Sequence, residues 1–123
     1  MRQQGAWLGQ RAELAVADYL VALGFRVLAR NLRLGALELD IVARQGSLVL
    51  VVEVRTRGPT SFERAFESIS PVKRARLLRA VDRLWRRRLA WRREVDRVRI
   101  DLAAVTFDGP KTRVEYLEGA ISG

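Results

Sequence analysis

The chain of 123 residues contains no cysteine and no histidine, and only two of its 23 basic residues, Lys73 and Lys111, are lysines. Without cysteine there is no disulfide framework and no thiolate metal site. Without histidine there is no imidazole base, and any metal would have to bind oxygen ligands. Carboxylates are therefore the side chains that could carry metal chemistry.

Long apolar runs are also missing. No apolar stretch approaches the roughly 20 residues that a membrane helix requires. Charges interrupt the opening MRQQGAWLGQRAEL, so it has no signal-peptide apolar core. Hydrophobic residues make up 49% of the chain and charged residues 30%, which is a globular balance. We therefore expect a single soluble, cytoplasmic domain over residues 1–123 with no membrane partner.

Positive charge is present in excess. The net charge is +9, and such an excess on a small domain favours a polyanionic partner. Between Lys73 and Arg93 the chain has ten basic residues and one acid, Asp82. A GC-rich genome would explain the preference for arginine over lysine equally well, but it does not account for the total charge.

Apolar periodicity and turn residues predict one α/β domain with a mixed central sheet flanked by helices, in the order αβββαββ. The first helix carries an apolar stripe and ends at Gly24, and Ser70-Pro71 begins the second. A polar loop is predicted over residues 31–35. The predicted elements are a helix over 8–23, strands over 25–30, 37–44 and 47–55, a helix from 70 to about 91, and strands over 97–105 and 112–118.

The stretch LELDIVARQGSLVLVVEVR, residues 37–55, places three carboxylates inside two apolar strands. We expect a hairpin with a two-residue loop at Gln45-Gly46. In that register Glu38 lies opposite Glu53, and Asp40 lies diagonal to Glu53. Because side chains alternate in a strand, the three acids share one face and the other face is apolar core.

Like charges that face each other on a sheet repel, and burial increases the cost. A divalent cation would compensate, since Mg²⁺ binds one or two carboxylates with phosphate oxygens and water. A salt-bridge network through Arg55, on the same face, or Arg44 or Arg57 would also compensate. Spacing alone leaves both interpretations open. Glu13, at the edge of the first helix's apolar stripe, either leans towards these acids or is solvated.

Several short motifs, taken in order, resemble those of a known family. They are G-x-x-x-E (9–13), RN (30–31), ELDIVA (38–43), VVEVRTR (51–57), ESI (67–69) followed by Lys73, and RIDLAAV (99–105). Over nearly its whole length the chain resembles the YraN-type family of uncharacterised bacterial proteins. That family is similar to PD-(D/E)XK restriction-endonuclease-like nucleases, including archaeal Holliday-junction resolvases. The resemblance implies a restriction-endonuclease-like fold and a metal-dependent endonuclease acting on structured or branched nucleic acid.

The resemblance also implies catalytic roles for individual residues. Glu13, Asp40 and Glu53 match the acids that bind Mg²⁺ or Mn²⁺, and Arg55 stands where the E-x-K motif has lysine. That lysine helps to orient the attacking water and to stabilise the transition state. Arginine keeps the charge but cannot accept a proton. The alternative function is a non-catalytic nucleic-acid-binding module of the same fold, which lost activity through this change. Leu37 replaces a usual glycine.

The second helix is the expected nucleic-acid contact. Solvated helices usually mix charges to avoid self-repulsion, so its single-sign face favours phosphate contact over a merely solvated face or a membrane-surface helix. We expect DNA rather than RNA, and the resolvase resemblance is compatible with a homodimer. The sequence assigns no role to Glu38. The predicted contacts are Arg57, Lys73, Arg76, Arg79, Arg83, Arg86 and Arg87.

Overall fold

The structure, a computed structural model, describes residues 2–57, 69–89 and 92–122. Within these ranges the elements follow in the order αβββαββ, and the mixed α/β class expected from the sequence is confirmed. They are α1 (Arg2–Ala22), β1 (Arg26–Leu34), β2 (Leu37–Gln45), β3 (Leu48–Arg57), α2 (Pro71–Leu84, continued by a π-helical turn, Trp85–Leu89), β4 (Arg97–Asp108) and β5 (Lys111–Ile121).

The five strands form one sheet in the order β1-β2-β3-β4-β5. Strands β3 and β4 are parallel, and the other neighbours are antiparallel. A parallel pair needs a crossover connection, and α2 lies within it. The two helices pack on opposite faces of the sheet. Alternate residues of β3 face opposite sides, so Leu50 and Val52 pack with α1, and Val49 and Val51 pack with α2.

Each helix buries the stripe that its sequence pattern predicts. In α1 the buried residues Ala12, Val16 and Leu20 are four apart, which places them on one face. The predicted stripe extends too far, since Leu23, beyond the end of α1, is 53% exposed. In α2 the Ser70 hydroxyl accepts a hydrogen bond from the Lys73 backbone N–H at 3.1 Å, as expected of an N-cap. The predicted helix end, about residue 91, lies outside the described residues.

The loop predicted over residues 31–35 is wrong. Strand β1 continues to Leu34, because Arg30 and residues 32–34 pair with β2 and so satisfy their backbone groups. The turn falls at Gly35, whose φ of +69° favours glycine. Asn31 also has a positive φ, +52°, within β1.

The predicted hairpin register is wrong by one residue on each strand. Gln45 pairs with Leu48, so the loop is Gly46-Ser47. The physical reason is backbone conformation: Gly46 has a φ of +60° and stands at the first loop position, where two-residue loops of type II′ require glycine. The predicted face is also wrong in part, since Leu39 packs on the α2 side and Ile41 on the α1 side.

Strand β4 contains a fully buried carboxylate, Asp101, at 0% exposure. It accepts two hydrogen bonds from Arg99, at 2.8 and 3.0 Å, one from the Tyr116 hydroxyl, and one from the Gly119 backbone N–H at 2.8 Å. Burial and this carboxylate both raise the pKa of Tyr116 well above its usual value. The network spans the point where the β4–β5 register shifts, after Ile100, so Asp101 fixes that irregularity.

We expect Asp101→Ala to destabilise the fold by about 3–5 kcal/mol, because it leaves the buried part of the Arg99 charge and two further donors without their acceptor. Urea unfolding monitored by tryptophan fluorescence measures this. Glu118→Ala is the control, since Glu118 is an exposed partner of Arg99 at 3.6 Å and its loss should cost less than about 1 kcal/mol. Equal effects of the two changes would contradict the assignment.

Candidate active site

Strands β2 and β3 pair over only part of their length. Their last paired residues are Ile41 and Val52. Beyond this point β2 keeps its pairing with β1, as at Leu39, and β3 keeps its pairing with β4, as at Glu53. A split therefore opens in the sheet between residues 37–40 and 53–57, and polar side chains there can face one another without entering the core.

Asp40 and Glu53 are the first residues beyond the paired segment, one on each strand. Asp40 Oδ2 accepts a hydrogen bond from the Val54 backbone N–H at 2.9 Å, in place of a backbone acceptor from β2. Burial, and then the negative charge of Glu53, raise the pKa of Asp40 to about 7, although the Val54 hydrogen bond opposes this. Burial and neighbouring carboxylates therefore both favour the protonated form of Asp40.

Glu13 approaches this pair from α1, on the opposite face of the sheet from α2. Burial raises the pKa of Glu13, and the charges of Glu38 and Glu53 act in the same direction. Its charge also acts on Asp40. The structure thus brings the three predicted metal residues into one electrostatic neighbourhood, together with Glu38, for which no role was predicted.

Asn31 holds Glu13 in place, a role that sequence reasoning missed. Its Nδ2 donates a hydrogen bond to Glu13 Oε2 at 2.9 Å, and this bond, with the nearby charge of Arg30, lowers the pKa of Glu13 against the effect of burial. The signal in the sequence is weak: asparagine is among the few non-glycine residues that adopt a positive φ readily, and Asn31 does so.

Lys73 is the cation that neutralises Glu53. Its Nζ lies 2.7 Å from Glu53 Oε1, and the Glu53 side chain is only 7% exposed. The salt-bridge alternative is therefore realised in part, but through a residue that was predicted to contact nucleic acid. Arg44 instead donates to the Gly46 carbonyl in its own hairpin, at 2.8 Å. Arg55 is half-buried on β3, beside Ala104 of β4.

A groove of about 460 Å³ lies between the β1–β2 turn and the start of α2. It is open to solvent beside the acids and has both signs of charge on its walls. A phosphate could therefore contact cations there while lying close to the carboxylates. The charged residues that line it are Glu38, Glu53, Lys73 and Arg76.

The donor set fits a hard divalent cation in chemistry, though not in its present arrangement. In the part of the chain that the structure describes, no three acidic side chains converge on one ion position. The donors are nevertheless all oxygens, as Mg²⁺ and Mn²⁺ prefer, and burial together with the negative charge of Glu53 raises the pKa of Asp40. Binding one ion through Glu53 would require that carboxylate to release Lys73.

The predicted nucleic-acid contacts on α2 fall into two groups. Arg76, Arg79 and Arg87 are exposed. Arg83 and Arg86 have contacts within the fold: Arg83 Nη1 donates to the Leu34 carbonyl at 3.0 Å, and Arg86 lies 3.3 Å from Asp82. The side chain of Arg57 lies outside the described residues. Among the described helices, none is long and apolar enough to cross a membrane.

These observations define a mixed α/β protein with a helix on each face of a five-stranded sheet and an acidic cluster at a split between two strands. The chain belongs to the uncharacterised protein family UPF0102, whose model matches residues 12–105. This confirms the YraN-type family expected from the motifs.

Three relatives show how far the similarity extends. A UPF0102 protein of Sorangium cellulosum is 52% identical over 92% of this chain and 79% of its own length. One of Oleidesulfovibrio alaskensis is 41% identical over 89% of this chain and 52% of its own length. One of Arthrobacter sp. is 39% identical over 91% of this chain and 93% of its own length. The family model therefore spans the second half of α1, the acidic cluster and α2.

The raised pKa of Asp40 predicts how stability changes with pH. Because that pKa is about 7 in the folded protein and 3.8 ordinarily, the folded state binds the proton more tightly between these values. This contribution to stability is fully present below about pH 4 and is lost as the pH rises through 7. In Asp40→Asn the side-chain oxygen can still accept from Val54, so above pH 7 the variant should melt about 3–8 °C higher than wild type.

Thermal unfolding followed by circular dichroism from pH 5 to pH 9 measures this difference. Asp18→Asn is the matched control, because it removes the same charge from an exposed position on α1, and its melting temperature should follow that of wild type at every pH. If the melting temperatures of Asp40→Asn and wild type differed by the same amount at every pH, the pKa of Asp40 would not be raised in the folded protein.

Proposed function

We propose that the protein is a metal-dependent endonuclease of the restriction-endonuclease-like class, which hydrolyses phosphodiester bonds in structured or branched DNA. The observation that carries the proposal is the split between β2 and β3, where Asp40 and Glu53 lie side by side with Glu13 close enough to act on both charges. Acids in such a position repel a phosphate unless a cation lies between them.

The three acids would hold the cation, and other residues would act on the substrate. A Mg²⁺ or Mn²⁺ ion bound by Glu13, Asp40 and Glu53 would lower the pKa of a water molecule and offset charge on the phosphate. In the reaction, the water oxygen bonds to phosphorus while one ester P–O bond breaks. The departing oxygen takes a proton from solvent, and the attacking water releases one.

Arg55 lies two residues after Glu53 on β3, and its side chain keeps a positive charge near the reacting phosphate. Its planar guanidinium fits two phosphate oxygens at once. Because it is effectively never deprotonated, it can stabilise charge but cannot accept the proton of the water. Tight contact with the ground-state phosphate does not by itself increase turnover, so we propose that cleavage is slow.

The basic surface of α2 would hold the nucleic-acid backbone next to this site. Arg76 lines the groove beside Glu53, and Arg79 and Arg87 are exposed further along the same helix. Arginine contacts to phosphates release counterions and do not depend on base sequence. This arrangement favours recognition of backbone shape over recognition of a particular sequence.

The second candidate function is a non-catalytic nucleic-acid-binding module of the same fold. The contact between Lys73 and Glu53 at 2.7 Å favours it, because it neutralises one acid without a metal. The arginine at position 55 points the same way. The two functions differ in one measurable property, since a binding module has no need to bind a divalent cation at Asp40.

Wild type should bind Mn²⁺ in a calorimetric titration and cleave branched DNA in its presence. Asp40→Ala should abolish cleavage and weaken Mn²⁺ binding at least about tenfold, because it removes one of the three acids that would hold the ion. Asp18→Ala, which removes an exposed carboxylate from α1, should leave both unchanged. Mn²⁺ binding that is identical in wild type and Asp40→Ala, with no cleavage of linear or branched substrates, would favour the non-catalytic module.

Affinity for DNA should fall steeply with salt, and replacing Arg76, Arg79 and Arg87 by glutamate should reduce that salt dependence. If each contacts one phosphate, the slope of log K against log salt should drop by roughly 2–3 and affinity should fall about 100-fold or more for all sequences alike. Fluorescence anisotropy from 50 to 300 mM salt measures both. The control carries the same charge change at exposed positions on β1 and β5 (Arg26, Lys111 and Arg113 to glutamate). Equal losses in the two variants would show attraction by net charge alone.

A further inference from the structure

We propose that Lys73, on α2, supplies the ammonium group that β3 lacks because position 55 is arginine. This ammonium contacts Glu53 in the resting protein and the substrate phosphate in the loaded site. The inference rests on the proposed nuclease function and assigns Lys73 a catalytic role in it. It is distinct from the backbone contacts of the α2 arginines, because it places one particular cation at the reacting phosphate.

The first argument is position. The Lys73 ammonium lies 2.7 Å from a carboxylate oxygen of Glu53, while the whole Lys73 side chain is 48% exposed. Its charged end is thus at the split in the sheet, and its stem lies along the groove. The backbone there is well anchored, since Ser70 caps α2 through the Lys73 N–H and Pro71 occupies the first turn.

The second argument is that no other lysine is near. The chain has two lysines, and Lys111 begins β5 at the turn that follows β4, at the far edge of the sheet. Arginine and lysine are not equivalent at such a site. The ammonium is a compact point charge on a flexible stem, whereas guanidinium is a larger planar group. Lys73 can therefore move a short distance and still present a concentrated charge.

The third argument comes from helix electrostatics. A cation in the first turn of a helix is unfavourable, because the N-terminal end of the helix already carries partial positive charge. Lys73 is in the first turn of α2, whereas Glu or Asp would stabilise the helix there. The placement of Lys73 is explained by the anion that it contacts. At rest that anion is the Glu53 carboxylate. When a cation occupies Glu53, the partner of Lys73 is an anion in the groove.

Competition for Glu53 connects these states. A divalent cation and the Lys73 ammonium both bind the same carboxylate, so cation binding releases Lys73 into the groove that it lines together with Arg76. A phosphate held beside the cation is then within reach of the released ammonium. The resting salt bridge neutralises Glu53 while the site is empty, and the same lysine stabilises charge on the phosphate once the site is filled.

The test is a double-mutant cycle at positions 73 and 55, read by two measurements. Lys73→Met keeps much of the stem and removes the charge. In the free protein it should tighten Mn²⁺ binding about three- to tenfold, because the competing cation is gone. Arg76→Met is the control: it removes one charge from the same groove but leaves the Lys73–Glu53 contact intact, so it should change Mn²⁺ affinity by less.

Single-turnover cleavage supplies the second measurement. Lys73→Met should slow cleavage about 100-fold. Arg55→Lys should raise the cleavage rate when Lys73 is present. It should raise the rate by a larger factor in the Lys73→Met background, because there it restores an ammonium that is otherwise missing. Lys73→Arg, which keeps the charge and guards against a folding defect, should retain wild-type Mn²⁺ affinity and still cleave more slowly.

The outcomes separate the inference from the function on which it rests. If wild type neither binds Mn²⁺ nor cleaves, the nuclease function is wrong and the inference fails with it. If wild type does both but Lys73→Met cleaves normally, the nuclease stands and Lys73 is only a structural partner of Glu53. Loss of a robust wild-type activity in Arg55→Lys would make arginine the specialised group and would also overturn the inference.

Discussion

The structure depends most on how two neighbouring carboxylates are accommodated at the end of a buried hairpin. Asp40 and Glu53 follow directly after the last β2–β3 pair, and continued pairing would force both charges against each other in apolar surroundings. The strands separate instead, and the Asp40 side chain accepts the Val54 N–H. The split therefore separates the two charges, and on its α2 side Glu53 lines the groove that also contains Lys73.

The two helices complete the site because they lie on opposite faces of the sheet. From one face α1 contributes Glu13, held by Asn31 of β1, and from the other α2 contributes the Lys73 ammonium. The split is where side chains from both faces can meet without crossing a continuous sheet. One acid gains a cation, and Asp40 keeps a raised pKa. The two acids therefore differ in their surroundings, since Glu53 contacts an ammonium whereas burial and the charge of Glu53 act on Asp40.

Much of the site could be predicted because side chains alternate along a strand, so odd and even positions lie on opposite faces of the sheet. The hairpin register differs from the predicted one by one residue on each strand, and these two shifts preserve which residues share a face within the paired segment, after which Asp40 and Glu53 are the next residues. The predicted face fails beyond that segment, because Leu39 packs on the α2 side and Ile41 on the α1 side. The neighbourhood of Asp40 and Glu53 therefore survived the error, but the predicted pairing of Glu38 with Glu53 did not. Local pattern could not reveal the Lys73–Glu53 contact, because it depends on the β3–β4 crossover. Asn31 was missed because its role depends on backbone conformation.

The chain uses its basic residues in two physically different ways. Exposed arginines on α2, such as Arg79 and Arg87, act through summed charge, and loss of one changes a field that the others maintain. Lys73 acts through one close contact with a carboxylate that is only 7% exposed, although its own side chain is 48% exposed and so is partly screened by water. A composition dominated by arginine conceals this difference. One of the two lysines in the chain makes this close contact.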